Sequence, residues 1–583
     1  MGAASCADGS TDLVGGAGGG GNGTQATTGA VTSGSTSAST TAATTGATTV
    51  ASSSSGMGSS STGVDPCAMG CPTNTYDIDQ NPLTPADPTQ CGCEYGCTKT
   101  SDADPIDDQY KDDNCDGGDG VVEQCVYVST SQGTANGAGT RQDPVQTIAQ
   151  GIAVAQANGV PAVCVSGEVY NEAVTVPSGV NLYGGFDQND ADFKFKRSGG
   201  VITTVNAAGT VFDVPQLDVE THIEGFTINA NANPTPGGSV YGIRFGGGLG
   251  QLFVQYNVIN TAPGTAGGAG ANGAGPNPVN APKGDDGTDG ADGSCANAGN
   301  GGKQGTCVEF GGKGGDGGCG TDPGGMGSPG TGGLPGGPGG HADSAFQCSG
   351  TTGNNLGQLG NSYTVPGVNG AAGGPGAGVG TVAAGGYSPA AGDDGIPGAS
   401  GKGGSGGGGG GGGDKVGGTF CNPDRGGGGG AGGCGGAGGK AGKGGGGGGG
   451  SFAVFAASGK VVVKHNEMTT GGGGKGGKGG NGAVGQFGGA GGSGASNDYD
   501  DAGHGGNGGS GSNGGEGGPG GGGGGGPSAC LGYGFGAMVT FSQNVLCSPG
   551  FPGQGGAAGT FPQAALATSE RTARPGGAQV QIQ

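Results

Sequence analysis

Residues 223–228 read Ile223-Glu224-Gly225-Phe226-Thr227-Ile228, a short run in which apolar and polar side chains alternate around one glycine. Alternation with a period of two is typical of a β-strand that buries one face. Similar apolar runs recur between residues 121 and 260, separated by Gly, Asn or Pro. They are Val126-Tyr127-Val128, Val163-Cys164-Val165, Val174-Thr175-Val176, Val180-Asn181-Leu182-Tyr183, Val211-Phe212 and Leu252-Phe253-Val254. These many short strands predict an all-β solenoid over residues 126–260.

One helix interrupts this pattern of strands. Asp143 is suited to the N-cap and Pro144 to the first helical position, and Ile148, Ile152 and Ala155 then fall on one face. A single amphipathic helix at the start of a solenoid covers its open end, where unpaired strands would otherwise meet water. We therefore expect this helix to cap the solenoid.

A strand pattern with a central asparagine occurs three times, far apart in the chain. The copies are Phe253-Val254-Gln255-Tyr256-Asn257-Val258-Ile259, Val462-Val463-Lys464-His465-Asn466-Glu467-Met468 and Val539-Thr540-Phe541-Ser542-Gln543-Asn544-Val545-Leu546. Asparagines stacked along a β-ladder hydrogen-bond to one another through their amides. We predict that Asn257, Asn466 and Asn544 occupy equivalent turns of one solenoid, with the glycine-rich sequence looped out between them. The alternative is three unrelated strands.

Glycine accounts for 163 of the 583 residues and dominates residues 261–530, apart from an interposed rung at 452–468. It recurs at every third position in several tracts, for example Gly324, Gly327 and Gly330. A period of three matches an extended left-handed helix with three residues per turn. The tracts therefore predict a bundle of packed polyglycine helices. A flexible glycine linker is the alternative.

The formal net charge of −23 excludes a nucleic-acid binder, because such a protein needs a basic stripe. The sequence contains no run of 18 apolar residues, so it predicts no transmembrane helix. Of 17 cysteines, 16 lie from Cys67 onward, an even number that favours disulfides in an oxidising compartment. Zinc at the cysteines of residues 67–97 is the alternative. Residues 531–583 are expected to hold the final rung and a tail.

The amino-terminal 125 residues divide into three parts. Residues 1–19 form a tail in which Ala3-Ala4-Ser5-Cys6 resembles a bacterial lipoprotein cleavage site, so Cys6 is the candidate for lipidation. An unpaired tail cysteine is the alternative. Residues 20–64 are rich in Ser and Thr and carry no charge, which predicts a disordered linker. Residues 65–125 form a Cys/Asp-rich module.

The centre of that module has the spacing of a calcium loop, D-x-N-x-D-G-x5-E. The expected ligands are Asp112, Asn114, Asp116, the carbonyl of Gly118 and Glu123. The flanks do not predict paired helices, so the loop is closer to the aspartate loops of extracellular calcium modules than to an EF-hand. A solvated acidic loop without metal is the alternative.

Three segments carry a resemblance to known proteins. They are Val126-Tyr127-Val128-Ser129, residues 139–148 with the residues Val169-Tyr170-Asn171-Glu172, and Leu182-Tyr183-Gly184-Gly185-Phe186. Together they resemble the opening of pectin-lyase-like right-handed parallel β-helix proteins. With the acidic module and the glycine tracts, the chain resembles uncharacterised bacterial glycine-rich (PGRS-type) surface lipoproteins. The resemblance implies a β-helix on the outer-membrane surface of a Gram-negative bacterium or in the extracellular space.

These features predict a non-catalytic structural or adhesive protein, stabilised by calcium and disulfides, with extracellular polysaccharide or cell-surface components as its partners. The adjacent carboxylate pairs, such as Asp285-Asp286 and Asp393-Asp394, lie outside the candidate strands, and this argues against an enzyme. A carbohydrate-active β-helix remains one alternative. The other is an ice- or polysaccharide-binding surface built from packed glycine helices.

Overall fold

The computed structural model describes residues 70–78, 92–190, 195–276, 279–342, 354–383, 385–413, 422–496, 501–542, 544–562 and 581–582. The predictions for Cys6, for the linker 20–64 and for Cys67 and Cys91 lie outside these residues.

The described chain is nearly all β, with α1 (Ile148–Asn158) as its single α-helix and a 3-10 turn at Val122–Gln124. The strands are β1 (Thr75–Tyr76), β2 (Tyr95–Gly96), β3 (Cys125–Val128), β4 (Ala162–Ser166), β5 (Val169–Tyr170), β6 (Val174–Thr175), β7 (Asn181–Asp187), β8 (Lys196–Arg197), β9 (Thr203–Ala208), β10 (Thr210–Val214), β11 (Thr221–Glu224), β12 (Phe226–Asn231), β13 (Val240–Phe245), β14 (Gln251–Gln255), β15 (Val258–Thr261), β16 (Thr381–Ala383), β17 (Gly386–Ser388), β18 (Ser451–Lys464), β19 (Glu467–Thr470), β20 (Ser528–Phe541), β21 (Leu546–Ser548) and β22 (Gln581–Ile582).

Two large sheets with parallel pairing hold most of these strands, which confirms the predicted all-β, parallel class. The twelve-stranded sheet has the order β3-β4-β7-β11-β14-β18-β13-β10-β6, with β20 on β18, β22 on β20 and β8 on β7. The six-stranded sheet has the order β21-β19-β15-β12-β9-β5. Only the β7–β8 pair within them is antiparallel. Two small antiparallel pairs, β1–β2 and β16–β17, complete the structure, and nothing in the glycine-rich sequence predicted the second.

The core lies between the inward faces of the two sheets. On the six-stranded sheet Val205, Ile228, Ile259 and Met468 occupy paired positions on successive strands and are all buried. Side chains between them point outward, as the period-two pattern requires. Burial of each such aliphatic side chain stabilises the fold by about 1.5–3 kcal/mol relative to exposure. The ladder therefore continues from residue 259 to residue 468, across more than 200 residues of sequence.

Helix α1 begins later than the sequence suggested. Its N-cap is Thr147, whose side chain forms a capping box with Gln150. The prediction of Asp143 as N-cap was wrong, because its carboxylate accepts a hydrogen bond from Ala138 N instead. The helix lies against β3 and β4 so closely that a Cβ on Gly151 would come 2.6 Å from Val128 Cγ2.

The hydrogen bonding of the sheets continues into the glycine-rich sequence. Thr261 pairs with Thr470 at the end of β15–β19. Immediately beyond, Gly264, Gly267 and Gly270 donate to the carbonyls of residues 472, 475 and 478 at 2.8–2.9 Å. Both partners advance by three residues per bond. Each of these segments therefore presents the same side to its neighbour once every three residues.

Residues 426–449 form a central segment that donates hydrogen bonds in three directions. Every third amide from Gly427 to Gly448 donates to residues 503–524. A second set, one residue out of phase, donates to residues 265–288, and a third donates to residues 309–318. A β-strand, in contrast, has partners on two sides only.

Only glycine permits this approach between neighbouring segments. A Cβ on Gly430 would lie 2.1 Å from the carbonyl oxygen of Gly492, and one on Gly407 would lie 2.1 Å from that of Gly506. Both distances are far below contact between a carbon and an oxygen atom. The glycines of the inner segments are therefore required by backbone packing at these positions.

Where a segment lies at the edge, asparagine side chains replace the missing carbonyl partners. Asn481 Oδ1 accepts from Thr560 N at 3.0 Å, and Asn513 Oδ1 accepts from Gly488 N at 3.0 Å. Asn369 Oδ1 likewise accepts from Glu516 N at 2.9 Å. These side-chain bonds satisfy backbone amides that would otherwise hydrogen-bond to water.

Six disulfides connect the twelve cysteines of the described residues. They are Cys71–Cys93, Cys97–Cys115, Cys125–Cys164, Cys295–Cys319, Cys307–Cys434 and Cys530–Cys547. The second of them closes the acidic module, and Cys307–Cys434 joins glycine-rich segments 127 residues apart. The pairing of Cys71, Cys93 and Cys97 in disulfides leaves these three cysteines unsuited to the zinc alternative.

Candidate functional site

The acidic loop of the Cys/Asp module folds around its own carboxylates. The disulfide Cys97–Cys115 fixes its base. Asp112 accepts hydrogen bonds from the amides of Asp116 and Gly117, at 3.3 and 2.8 Å. Asp116 in turn accepts from Val122 N at 2.9 Å. These bonds turn the two carboxylates toward the inside of the loop.

Three carboxylates meet there, and one of them was missed by the sequence analysis. One oxygen each from Asp104, Asp112 and Asp116 lies within 4.8 Å of the others. Asp104 stands eight residues before the loop and lies outside its spacing pattern. Its two oxygens accept from Asp113 N and Gly120 N, at 3.2 and 2.9 Å, and these bonds bring it into the cluster. The only sequence signal was an acidic residue between two disulfide-bonded cysteines.

The cluster is electrostatically strained without a counter-ion. Burial, with the charges of Asp112 and Asp119, raises the pKa of Asp104 to about 6, against the hydrogen bonds that lower it. Burial also raises the pKa of Asp116. Raised pKa values mean that the charged forms are disfavoured at these positions. A hard cation with oxygen ligands would remove that cost, so the donor set fits an ion such as Ca²⁺.

Asn114, Gly118 and Glu123 are the other three expected ligands. Asn114 bonds to Asp116 through both of its amide atoms, at 2.9 Å each. Gly118 donates to Asp116 Oδ1 at 3.3 Å and lies under Arg141, whose Nη2 would be 2.7 Å from an added Cβ. Glu123 is exposed on the 3-10 turn. Of the five expected ligands, Asp112 and Asp116 belong to the cluster of three carboxylates.

Arg197 attaches the acidic module to the large sheet. Its Nη1 pairs with Asp119 Oδ2 at 3.0 Å and both side chains are almost fully buried. Burial raises the pKa of Asp119 to about 6 despite this partner. The same guanidinium donates to the carbonyls of Gly184 and Asp107. The position of the acidic cluster is therefore fixed relative to β7 and β8.

The structure brings two of the three predicted turn asparagines together. Asn257 N and Nδ2 both donate to Asn466 Oδ1, at 2.9 and 3.1 Å, and both residues are buried. Phe226 N donates to Asn257 Oδ1 at 3.0 Å and extends this inner ladder to β12. Asn544 does not join it. Glu467 pairs with Leu546, so Val545 stands opposite Asn466 and Asn544 lies exposed beside His465.

A second ladder, on the outer face of the six-stranded sheet, was not predicted. Asn260 Nδ2 donates to Asn229 Oδ1 at 3.1 Å, Asn229 Nδ2 to Asn206 Oδ1 at 3.0 Å, and Asn206 Nδ2 to Asn171 Oδ1 at 3.0 Å. We call these four residues the outer amide ladder. Its sequence signal is an asparagine two residues after an outward Val or Thr in four successive strands.

His222 on β11 lies between two glutamates. His222 Nδ1 lies 2.7 Å from Glu224 Oε1 and its Nε2 lies 3.1 Å from Glu220 Oε1. Burial favours neutral imidazole, but the bonds to both carboxylates outweigh it and raise the pKa of His222. The ring stacks on Phe253 at 4.6 Å.

The acidic pairs of the glycine-rich region are engaged in surface ion pairs. Lys283 Nζ contacts Asp286 at 2.7 Å and Lys443 Nζ contacts Asp394 at 2.8 Å. Within the described part of the chain, no helix has the length and apolarity needed to cross a membrane. Comparison with protein-family models, with curated proteins and with solved structures finds no match to this chain.

Proposed function

We propose that this chain is a non-catalytic secreted or cell-surface protein with a structural or adhesive role. In this proposal its parallel strands are rungs of a right-handed β-solenoid, and the glycine-rich segments are polyglycine helices emitted between rungs. One observation carries it: the hydrogen bonding of β15–β19 passes without a gap into glycine segments whose bonds recur every three residues. That recurrence matches a helix with three residues per turn.

The packing supports a bundle of ordered segments and argues against a linker. A linker needs no specific neighbours, yet the central segment 426–449 has donor sets in three directions. Ordering glycine costs more backbone entropy than ordering any other residue, so the bonds must offset that cost. A body built in this way resists local unfolding, a property that suits a spacer or an adhesive stalk.

The proposed location is the outer surface of a Gram-negative bacterium or the extracellular space. The disulfides of the described residues support an oxidising compartment. The resemblance to glycine-rich surface lipoproteins rests on the sequence segments quoted above, and Cys6 remains the proposed lipid anchor. The proposed partners are extracellular polysaccharide or cell-surface components.

Calcium is the proposed ion of the acidic module. Asp104, Asp112 and Asp116 would hold it, and Asp116 also lines a cleft together with Glu123. The support is the loop spacing together with three converging carboxylates, two of them with raised pKa values.

Hydrogen exchange of the full chain, followed by mass spectrometry, tests the bundle. We expect amides of residues 426–449 and 503–526 to exchange as slowly as those of β12 and β14. Exchange at the rate of an unstructured peptide throughout both segments would contradict the proposal.

Calcium titration tests the metal site. We expect added calcium to raise the Tm and an Asp104→Asn, Asp116→Asn double variant to lose that gain. Asp102→Asn is the matched control, because Asp102 is exposed and pairs with Lys99 outside the cluster. Equal Tm values with calcium and with a chelator would exclude the site.

A further inference from the structure

The outer amide ladder lies in a shallow cleft that neither the core nor the acidic cluster uses. Besides the four asparagines, the cleft is lined by Ala230, Asn231, Thr261 and Ala262. Asn171 and Asn260 are exposed, and Asn206 and Asn229 are half-buried. The ladder is therefore open to solvent along its length.

The side-chain amides of Asn206 and Asn229, in the middle of the ladder, can form further hydrogen bonds after the ladder is formed. A carboxamide has two N–H donors and an oxygen with two lone pairs. Asn206 and Asn229 each use one N–H and one lone pair on their ladder neighbours. One donor and one acceptor per rung remain for a ligand. Because the amides sit on adjacent strands, these pairs repeat at about 4.8 Å.

The electrostatics of the cleft restrict the class of ligand. No charged side chain is among the residues that line it. The chain as a whole carries a net charge of −23, so an anionic polymer is repelled at long range. Beside the amides runs a parallel row of outward residues, Val169, Thr204, Thr227 and Val258. A neutral ligand with both hydroxyl groups and apolar C–H surface fits this combination.

We propose that the outer amide ladder binds a neutral, extended polysaccharide. A sugar hydroxyl donates and accepts at once, so two vicinal hydroxyls match the remaining donor and acceptor of one amide. A β-linked pyranose chain repeats at close to the strand spacing, so successive sugars meet successive asparagines. Val169 and Val258 supply apolar contacts. This site specifies the polysaccharide partner of the function proposed above, on which it rests, and does not depend on order in the glycine segments.

Binding of the full chain to insoluble β-1,4-glucan, β-1,3-glucan and chitin tests the proposal, with polygalacturonate as the anionic comparison. We expect retention on at least one neutral polymer. An Asn206→Ala, Asn229→Ala double variant should lower that affinity about tenfold or more, because two amide–hydroxyl contacts are lost. The control is Asn257→Ala in the buried inner ladder, which should lower the Tm and leave the affinity of the folded protein unchanged.

Three outcomes would overturn the proposal. They are no binding to any neutral polymer, binding that the double variant leaves unchanged, and binding to polygalacturonate alone. If the double variant does not fold, hydrogen exchange of the native chain tests the site instead. It is measured with a soluble β-1,4-gluco-oligosaccharide, β-1,3-gluco-oligosaccharide or chito-oligosaccharide. Protection by one of them confined to residues 203–208 and 226–231 supports the site, and protection elsewhere or none by all three refutes it. Fast exchange in the glycine segments would refute the bundle and leave this result intact.

Discussion

The sheets and the glycine segments use the same backbone hydrogen bond for different architectures. In the sheets a strand pairs on at most two sides, and inward side chains such as Ile228 and Ile259 fill the space between layers. In the glycine region the central segment 426–449 bonds in three directions and carries few side chains, among them Ala431, Cys434 and Lys443. The difference lies in period: two for a strand, three for the glycine segments.

This contrast teaches what each region depends on. The sheets depend on apolar area removed from water, at about 25 cal/mol per Å². The glycine region has almost no such area and depends on bonds between backbones, held at distances that exclude a Cβ. Substitutions that remove volume should therefore damage the sheets, and substitutions that add one carbon should damage the glycine region.

The largest expected effect is loss of the disulfide Cys307–Cys434. Because it spans 127 residues of glycine-rich chain, the loop-entropy model assigns it about 5 kcal/mol of stability. Cys530–Cys547 spans 17 residues at the last pair of strands and should contribute about 3 kcal/mol. Urea unfolding of each Cys→Ala pair measures both values. Equal losses would show that loop length does not govern the glycine region.

Removal of a core side chain from the sheets should cost almost as much. Phe212 is fully buried and its ring lies 5.3 Å from that of Phe226. Phe212→Ala should lower the free energy of unfolding by about 4 kcal/mol through lost transfer energy and a cavity. The exposed Phe535→Ala is the control and should change it little. Similar losses from the two variants would contradict the role of the core.

Addition of a single methyl group should have different effects at two adjacent glycines. A Cβ on Gly267 would lie 2.0 Å from Gly446 O, whereas one on Gly268 would lie 3.8 Å from its nearest neighbour, Pro236 Cβ. Gly267→Ala should destabilise by about 2 kcal/mol through overpacking, and Gly268→Ala should be close to neutral. Thermal unfolding of both variants measures the difference. Equal behaviour would mean that this segment is not packed as described.

The inner ladder gives a smaller effect. Asn466→Asp places a charge where the amide accepts from Asn257 and donates to Val254 O at 2.8 Å. The amide nitrogen also donates to Lys464 O at 2.8 Å, so two donated bonds are lost and the expected destabilisation at pH 7 is about 1.5 kcal/mol. Asn544→Asp is the control, because Asn544 is exposed and outside the ladder. A larger loss from Asn544→Asp would reverse the assignment.

The smallest expected effect is on the stability of the fold at acidic pH. Burial alone would raise the pKa of Glu168, but bonds from Ser131, Ser166, Ser129 and Thr130 outweigh it and lower the pKa to about 2. A carboxylate with a lowered pKa stabilises the fold above its ordinary pKa of about 4.3, and that contribution is lost as pH falls toward 2. Tm measured against pH should fall less steeply below pH 4 in Glu168→Gln. An unchanged slope would disprove the linkage.

The sequence was sufficient to predict that distant segments form neighbouring strands. It was insufficient to predict how the last of these segments, around Asn544, aligns with its neighbour. The strand–Asn–x–aliphatic pattern places Val254 and Val463 in equivalent positions, and they pair in the sheet. Three residues separate Val463 from Glu467, but four separate their partners Phe541 and Leu546. That one extra residue at the corner moves Asn544 out of the ladder. A motif defined by spacing to the nearest aliphatic residue cannot detect it.

The acidic module shows a similar limit. The loop spacing identified Asp112 and Asp116, because their positions depend on local turns. Asp104 enters the cluster through backbone donors on Asp113 and Gly120, and these depend on how the whole module folds. Glu123 fits the spacing but lies on a 3-10 turn whose direction the pattern does not encode.

The edge asparagines also bear on the chemical ageing of the protein. An Asn-Gly peptide deamidates when the glycine nitrogen attacks the side-chain carbonyl carbon and closes a succinimide ring. Here both reactants are held by a neighbouring segment: Asn481 Oδ1 accepts from Thr560 N, while Gly482 N donates to Thr560 O at 3.1 Å. Ring closure must first break both bonds. Assembly of the segments thus slows a reaction to which the unfolded sequence is highly prone, and extends the lifetime of the folded protein.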